Sequence, residues 1–123
     1  MSATGWKLDH QERAQLLRRF APHWPDTIAD HVTLKGDAAR SEPLPPAQTA
    51  EIVGAVDDGL GLQAMIVAIE GTTDRPDGST YHITWSLDRQ RGRKGAHSNE
   101  VIARLGWQPL DRPVPIRLRP ARF

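Results

Sequence analysis

The chain of 123 residues contains no cysteine. That absence excludes a disulfide framework, a thiolate nucleophile and any cysteine-ligated metal centre, and several enzyme classes go with them. No apolar run approaches the roughly 20 residues needed to cross a bilayer. The amino-terminal stretch Trp6-Lys7-Leu8-Asp9-His10 lacks the continuous apolar core of a secretory signal. The expectation is therefore a cytoplasmic protein with no membrane partner. A Gly-x-Ser-x-Gly elbow is also missing, which leaves Ser86 and Ser98 without the setting of a hydrolase nucleophile. What is present is the composition of a globular protein, 38% hydrophobic and 25% charged. The length predicts one domain over residues 1–123 with a modest core.

The formal net charge of +1 hides an uneven distribution. Residues 1–87 hold 7 basic and 12 acidic side chains, whereas residues 88–123 hold 9 basic and 3 acidic ones. The carboxy-terminal third is the anion-attracting part, and its densest stretch is Arg89, Arg91, Arg93 and Lys94. A basic run is as readily a solvated loop as a binding site.

Local signals predict a small α+β fold, a mainly antiparallel sheet with two helices. Asp9 and Glu12 have capping-box spacing, and Leu16, Leu17 and Phe20 share one face of a helix over Asp9 to Phe20 that Pro22 and Pro25 end. A strand follows at about Ile28 to Lys35, closed by Gly36-Asp37, and then an extended Pro43, Pro45, Pro46 connection. Ala50 to Val56 and Leu62 to Ile69 flank the turn signal Asp57-Asp58-Gly59 and read as a hairpin, the second strand central in the sheet. Asp74 to Gly78 reads as a polar turn before a strand over Thr80 to Leu87. Ser98 is a candidate N-cap for a short helix that Gly106 stops, and Val114 to Arg119 alternates like a half-buried edge strand.

Two of these strands carry the same tetrapeptide pattern: His31-Val32-Thr33-Leu34 and His82-Ile83-Thr84-Trp85. Side chains at i and i+2 of a strand project to one face, so each copy presents an imidazole and a hydroxyl together while its apolar residues pack behind. One such copy is readily explained by strand propensity and a satisfied histidine. Two copies facing each other would supply a general acid, a general base and two hydroxyl donors for a phosphate. Zinc sites want three or four ligands, often at i and i+4, and neither histidine has such a partner, so no metal and no cofactor are expected.

Paired His-x-Thr motifs on two strands resemble the two-histidine phosphoesterase superfamily. With the basic segment and Ser98-Asn99 opening a helix, residues 24–105 are similar to the cyclic phosphodiesterase domain of tRNA ligases. The resemblance implies a two-histidine cleft and a metal-independent 2′,3′-cyclic phosphodiesterase acting on RNA ends or cyclic nucleotides, leaving a 2′-phosphate. It implies His31 and His82 as acid and base, with Thr33 and Thr84 binding the phosphate; which histidine is the base stays open.

Around that cleft, Arg89, Arg91, Ser98 and Asn99 are candidates for RNA contact, and His97 lies at a helix start that favours anions. Tyr81 and Trp85 face away from the motif and belong to the core, while Trp24 and Trp107 could pack or stack on a base. The alternative is a non-catalytic module that binds nucleic acid or a nucleotide through residues 89–94, indifferent to both histidines.

Overall fold

Asp9 caps the first helix as its spacing predicts, its carboxylate accepting from the backbone N–H groups of Gln11 and Glu12 at 3.0 and 3.1 Å. These bonds, the Glu12 amide foremost, hold the Asp9 pKa below its ordinary value. Glu12 does not complete the capping box. Its carboxylate instead accepts from the Arg117 backbone N–H at 2.7 Å and from the guanidinium at 2.5 Å, tying the helix to the last strand.

In the computed structural model, which describes residues 2–123, the elements run in order β1 (Ser2–Leu8), α1 (His10–Arg19), β2 (Asp26–Thr27), β3 (His31–Ala38), β4 (Gln48–Asp57), β5 (Leu62–Ile69), β6 (His82–Leu87), α2 (Ser98–Leu105) and β7 (Gln108–Arg122). Two short 3₁₀ turns, Arg89–Arg91 and Gly95–His97, lie between β6 and α2. The strands make one antiparallel sheet in the order β2-β6-β5-β4-β7-β1-β3. The predicted hairpin is β4–β5, and β5 is central as expected, between β6 and β4.

The two edges of this sheet, β2 and β3, are consecutive in the chain, so the sheet curls until its edges meet. Ile28 and Ala29 donate their N–H groups to Trp85 and Thr84 of β6 at 2.9 and 3.0 Å; Asp30 then accepts from Leu8 of β1 at 3.1 Å. The chain crosses from one edge to the other at Ala29, a buried residue held at φ 43°. Arg13 of α1 clamps the crossing by donating to the Ala29 and Ile28 carbonyls at 2.7 and 3.0 Å. Beyond it β3 follows β1 and β6 follows β5, with β3 and β6 alongside one another across the seam.

The main core fills the inside of the curl. Trp6, Val32, Ile52, Met65, Val67, Ile83, Trp85, Ile116 and Leu118 are buried there, with Leu16 of α1. The Trp85 indole N–H donates to the Phe20 carbonyl at 2.8 Å, and Tyr81 meets Trp6 edge-on at 6.2 Å. Both aromatics are core, as their register predicts. A smaller cluster of Leu62, Ala64, Leu87 and Val101 seats α2.

Three local expectations change. Gly36-Asp37 does not end the first motif strand, which runs on to Ala38. The amino terminus forms a strand, β1, paired on both sides. The last strand is also longer than predicted and is not an edge: β7 pairs with β4 and with β1. Its prolines survive because the two pairings are staggered and overlap only at Leu118. Pro115 has a partner on the β4 side alone and Pro120 on the β1 side alone, so neither interrupts a two-sided ladder.

Candidate active site

The seam brings the two tetrapeptides together. Val32 and Ile83 point into the core, so His31 and Thr33 of β3 and His82 and Thr84 of β6 lie on the opposite face of their strands. Glycine makes the β3 placement possible. A Cβ on Gly5, which pairs with Thr33, would lie 2.1 Å from the Val32 carbonyl oxygen, so β1 can approach β3 this closely only without a side chain there.

Each histidine is oriented through Nδ1. In His82 this nitrogen lies 2.8 Å from the Thr80 carbonyl, which can only accept, so Nδ1 carries hydrogen and the neutral ring keeps Nε2 as its lone-pair nitrogen. In His31 it lies 3.1 Å from the Asp30 carboxylate, itself 3.6 Å from the Lys7 ammonium. The His31 ring also rests on Phe123, centroids 4.3 Å apart. Burial pushes the His82 pKa below its ordinary value, and the positive charges of Arg75 and His31 push the same way; the Thr80 bond opposes them. The two imidazoles are thus close enough to feel each other's charge.

The threonines differ. Thr33 is half-buried, whereas Thr84 is only 9% exposed and its Oγ1 lies 2.8 Å from the Ser98 hydroxyl. Ser98 is fully buried. Its place is therefore behind Thr84 and not on the surface where an RNA contact was expected. It is the first residue of α2, and His97 precedes it as N-cap. Asn99 is exposed.

The basic segment is less free than its sequence suggests. Arg91 pairs with Asp88 at 3.1 Å and covers the Trp24 ring at 5.5 Å, while Arg93 pairs with the buried carboxylate of Asp58. Arg89 and Lys94 have no ion-pair partner among the described residues, and they border a 350 Å³ hollow with Leu87, Arg93 and Gly95. A Cβ on Gly95 would lie 3.6 Å from Thr84 Oγ1, so this hollow adjoins the Thr84 side of the seam. His97 turns inward on its own loop, its Nδ1 accepting from the Lys94 backbone N–H at 3.1 Å. Trp107 packs on Gly54, where its ring occupies the space a side chain would take.

Arg75 is the residue that sequence reasoning passed over as part of a polar turn. It is 8% exposed, donates to Asp77 at 2.5 Å, and places its charge within reach of His82. That bond, with those from Ser79, holds Asp77 well below the usual carboxylate range. No sequence signal separates Arg75 from an ordinary turn arginine.

Among the described residues no group of three or more His, Asp or Glu side chains converges, and no helix is long and apolar enough to cross a membrane. Comparison of the chain with protein-family models, with curated proteins and with solved structures found no match.

Proposed function

We propose that this chain is a metal-independent 2′,3′-cyclic phosphodiesterase acting on RNA ends or cyclic nucleotides and leaving a 2′-phosphate. The observation that carries the reading is the seam, where two His-x-Thr copies from strands remote in sequence share one face. Hydrolysis of a cyclic phosphate needs a base for water, an acid for the departing 3′ oxygen and donors for the phosphorane oxygens. His82 suits the base, because its Nδ1–H is committed to Thr80 and burial favours its neutral form. His31 suits the acid, with the Asp30 carboxylate on Nδ1 and the Phe123 ring against it to balance an imidazolium. Thr33 and Thr84 donate to the phosphate, Thr84 oriented by Ser98.

The test is incubation with an RNA ending in a 2′,3′-cyclic phosphate in the presence of chelator. The expected product is the 2′-phosphate. His31→Ala and His82→Ala should each lower turnover by about 10²–10⁴-fold, the usual share of a general acid or base, with circular dichroism unchanged. No product from the wild type, or activity abolished by chelator, overturns the proposal.

A second reading, a non-catalytic nucleotide- or nucleic-acid-binding module, is favoured by the hollow beside Arg89 and Lys94. It predicts salt-sensitive RNA binding that falls with Arg89→Ala and Lys94→Ala and is unchanged in both histidine variants, with no turnover.

A further inference from the structure

The row of the sheet that holds His31 continues across two more strands. His31 pairs with Lys7 of β1, and Lys7 pairs on its other side with Arg119 of β7, with no register shift in this part of either pairing. Residues paired in this way share a face, and the chain neighbours Val32, Trp6, Leu8 and Leu118 are all core. Lys7 and Arg119 therefore stand on the outer face with His31, on strands roughly 5 and 10 Å from β3. Asp30 ties Lys7 to the site directly. Its Oδ2 lies 3.1 Å from His31 Nδ1 and 3.6 Å from the Lys7 ammonium.

Two cations directly opposite one another on neighbouring strands repel, and the nearby carboxylates do little to offset them. Asp30 is shared with His31, while Asp9 accepts from the Gln11 and Glu12 amides and pairs with Arg117 at 3.7 Å. Arg117, the previous outward residue on β7, is held by the Glu12 carboxylate. Arg119 differs: it is exposed and makes no side-chain hydrogen bond or ion pair among the described residues. An uncompensated like-charge pair in line with His31 suits an anionic ligand that reaches from the histidine across β1 to β7. A cyclic mononucleotide has a single phosphate, and the two His-x-Thr copies already claim it. An RNA strand carries a further charge at every nucleotide, and cations beside a cleft hold such phosphates without reading sequence.

We propose that Lys7 and Arg119 bind backbone phosphates upstream of the cyclic end, so that the substrate class is an RNA strand and not a cyclic mononucleotide. The inference rests on the phosphodiesterase reading for the chemistry at the end; phosphate binding by the two cations does not depend on turnover. The hollow beside Arg89 and Lys94 adjoins the Thr84 side of the seam and offers the strand a different exit, which the test separates.

Calorimetry on the whole chain follows binding of uridine 2′-phosphate and of the oligouridylate di- and trinucleotides that end in a 2′-phosphate, products that need no turnover. Each added phosphate should tighten binding, the trinucleotide by about tenfold or more over the mononucleotide at low salt, and the gain should shrink at high salt. Arg119→Gln, which breaks no bond, and Lys7→Gln should each remove much of that gain, and the double variant should abolish it. Arg119→Gln should also leave Tm no lower, because it relieves the repulsion. Turnover supplies a parallel arm: kcat/KM for a dinucleotide with a cyclic end should exceed that for uridine 2′,3′-cyclic phosphate by about tenfold, and the ratio should approach one in the double variant. A length-dependent gain that survives in the double variant, one lost only in Arg89→Ala/Lys94→Ala, or no gain with length overturns the proposal. A gain that needs both cations, with no hydrolysis of either cyclic substrate, leaves the phosphate row standing and sinks the phosphodiesterase reading; hydrolysis with equal kcat/KM for the two substrates does the reverse.

Discussion

The Thr84–Ser98 contact joins the proposed phosphate donor to the helix behind it, and a double-mutant cycle reads its strength. Both residues are buried, Ser98 completely, and their hydroxyl oxygens lie 2.8 Å apart. Thr84→Val keeps the shape and leaves the Ser98 hydroxyl with no partner, so it should cost about 2–3 kcal/mol, the upper part of the range for an orphaned buried group. Ser98→Ala should cost less, about 1–2 kcal/mol, because the slight exposure of Thr84 lets water reach its hydroxyl. Removing both hydroxyls loses one net hydrogen bond and leaves no orphan, so the double variant should cost only about 1–2 kcal/mol. The resulting coupling is about 2–3 kcal/mol, measurable by urea denaturation of the four proteins followed by tryptophan fluorescence. Turnover gives a second cycle: Ser98→Ala should lower kcat in the wild type and change nothing further in Thr84→Val. Stability effects that add to within about 0.5 kcal/mol would refute the coupling, and an equal loss of kcat in both backgrounds would show that Ser98 does not act through Thr84.

Because the His82 pKa is depressed on folding, the unfolded chain takes up the proton first as pH falls. Stability contributed at this site should therefore decline as pH falls from about 6.5 to the folded-state pKa and be flat on either side of that window. Denaturation of wild type and His82→Gln across pH 5 to 8 checks the sign, and a wild type that gains stability over the variant on acidification contradicts it. Gly5→Ala should cost about 1–3 kcal/mol, since its Cβ would meet backbone 2.1 Å away. It should also depress turnover by moving β1 against Thr33; an unchanged Tm would remove the close-approach account. Trp85→Phe leaves the Phe20 carbonyl unpaired and a gap in the core, for about 2–4 kcal/mol by urea denaturation, and a cost below about 1 kcal/mol would mean the indole bond carries little.

Where local chemistry decides the outcome, it can be read directly from the chain. Asp9 caps α1, Gly106 ends α2 at φ 70°, and the hairpin forms around Asp57-Asp58-Gly59 because each signal acts within a few residues. The strand β1 gave no such signal, since Gly5 weakens a strand unless a neighbouring backbone needs its space, and that need arises only once β3 lies beside it. The alternation over Val114 to Arg119 read as a half-buried edge because the two staggered partners that flank β7 are far away in sequence. Arg93 looked available for the same reason: it meets Asp58 only through the fold.

The candidate site divides along the same line. Strand periodicity alone makes His31 a neighbour of Thr33 and His82 a neighbour of Thr84, and within each copy the pairing follows from two residues of spacing. Nothing within either tetrapeptide brings one copy to the other. That depends on the crossing at Ala29, where a non-glycine residue held at positive φ carries the chain from β6 to β1, and on Arg13 bonding the two carbonyls that the bend exposes. The relation between the two histidines is consequently a property of the seam and not of either strand. Arg13→Met should test it, because it removes both carbonyl bonds while touching neither histidine. The two freed carbonyls imply about 1–3 kcal/mol of lost stability. Turnover should fall together with the His31-dependent displacement of the His82 pKa, read by NMR titration of the ring protons. If Arg13→Met lowers stability yet leaves that titration and turnover as they were, the seam holds without its clamp, and the placement of the two motifs must come from the strands' packing on the core.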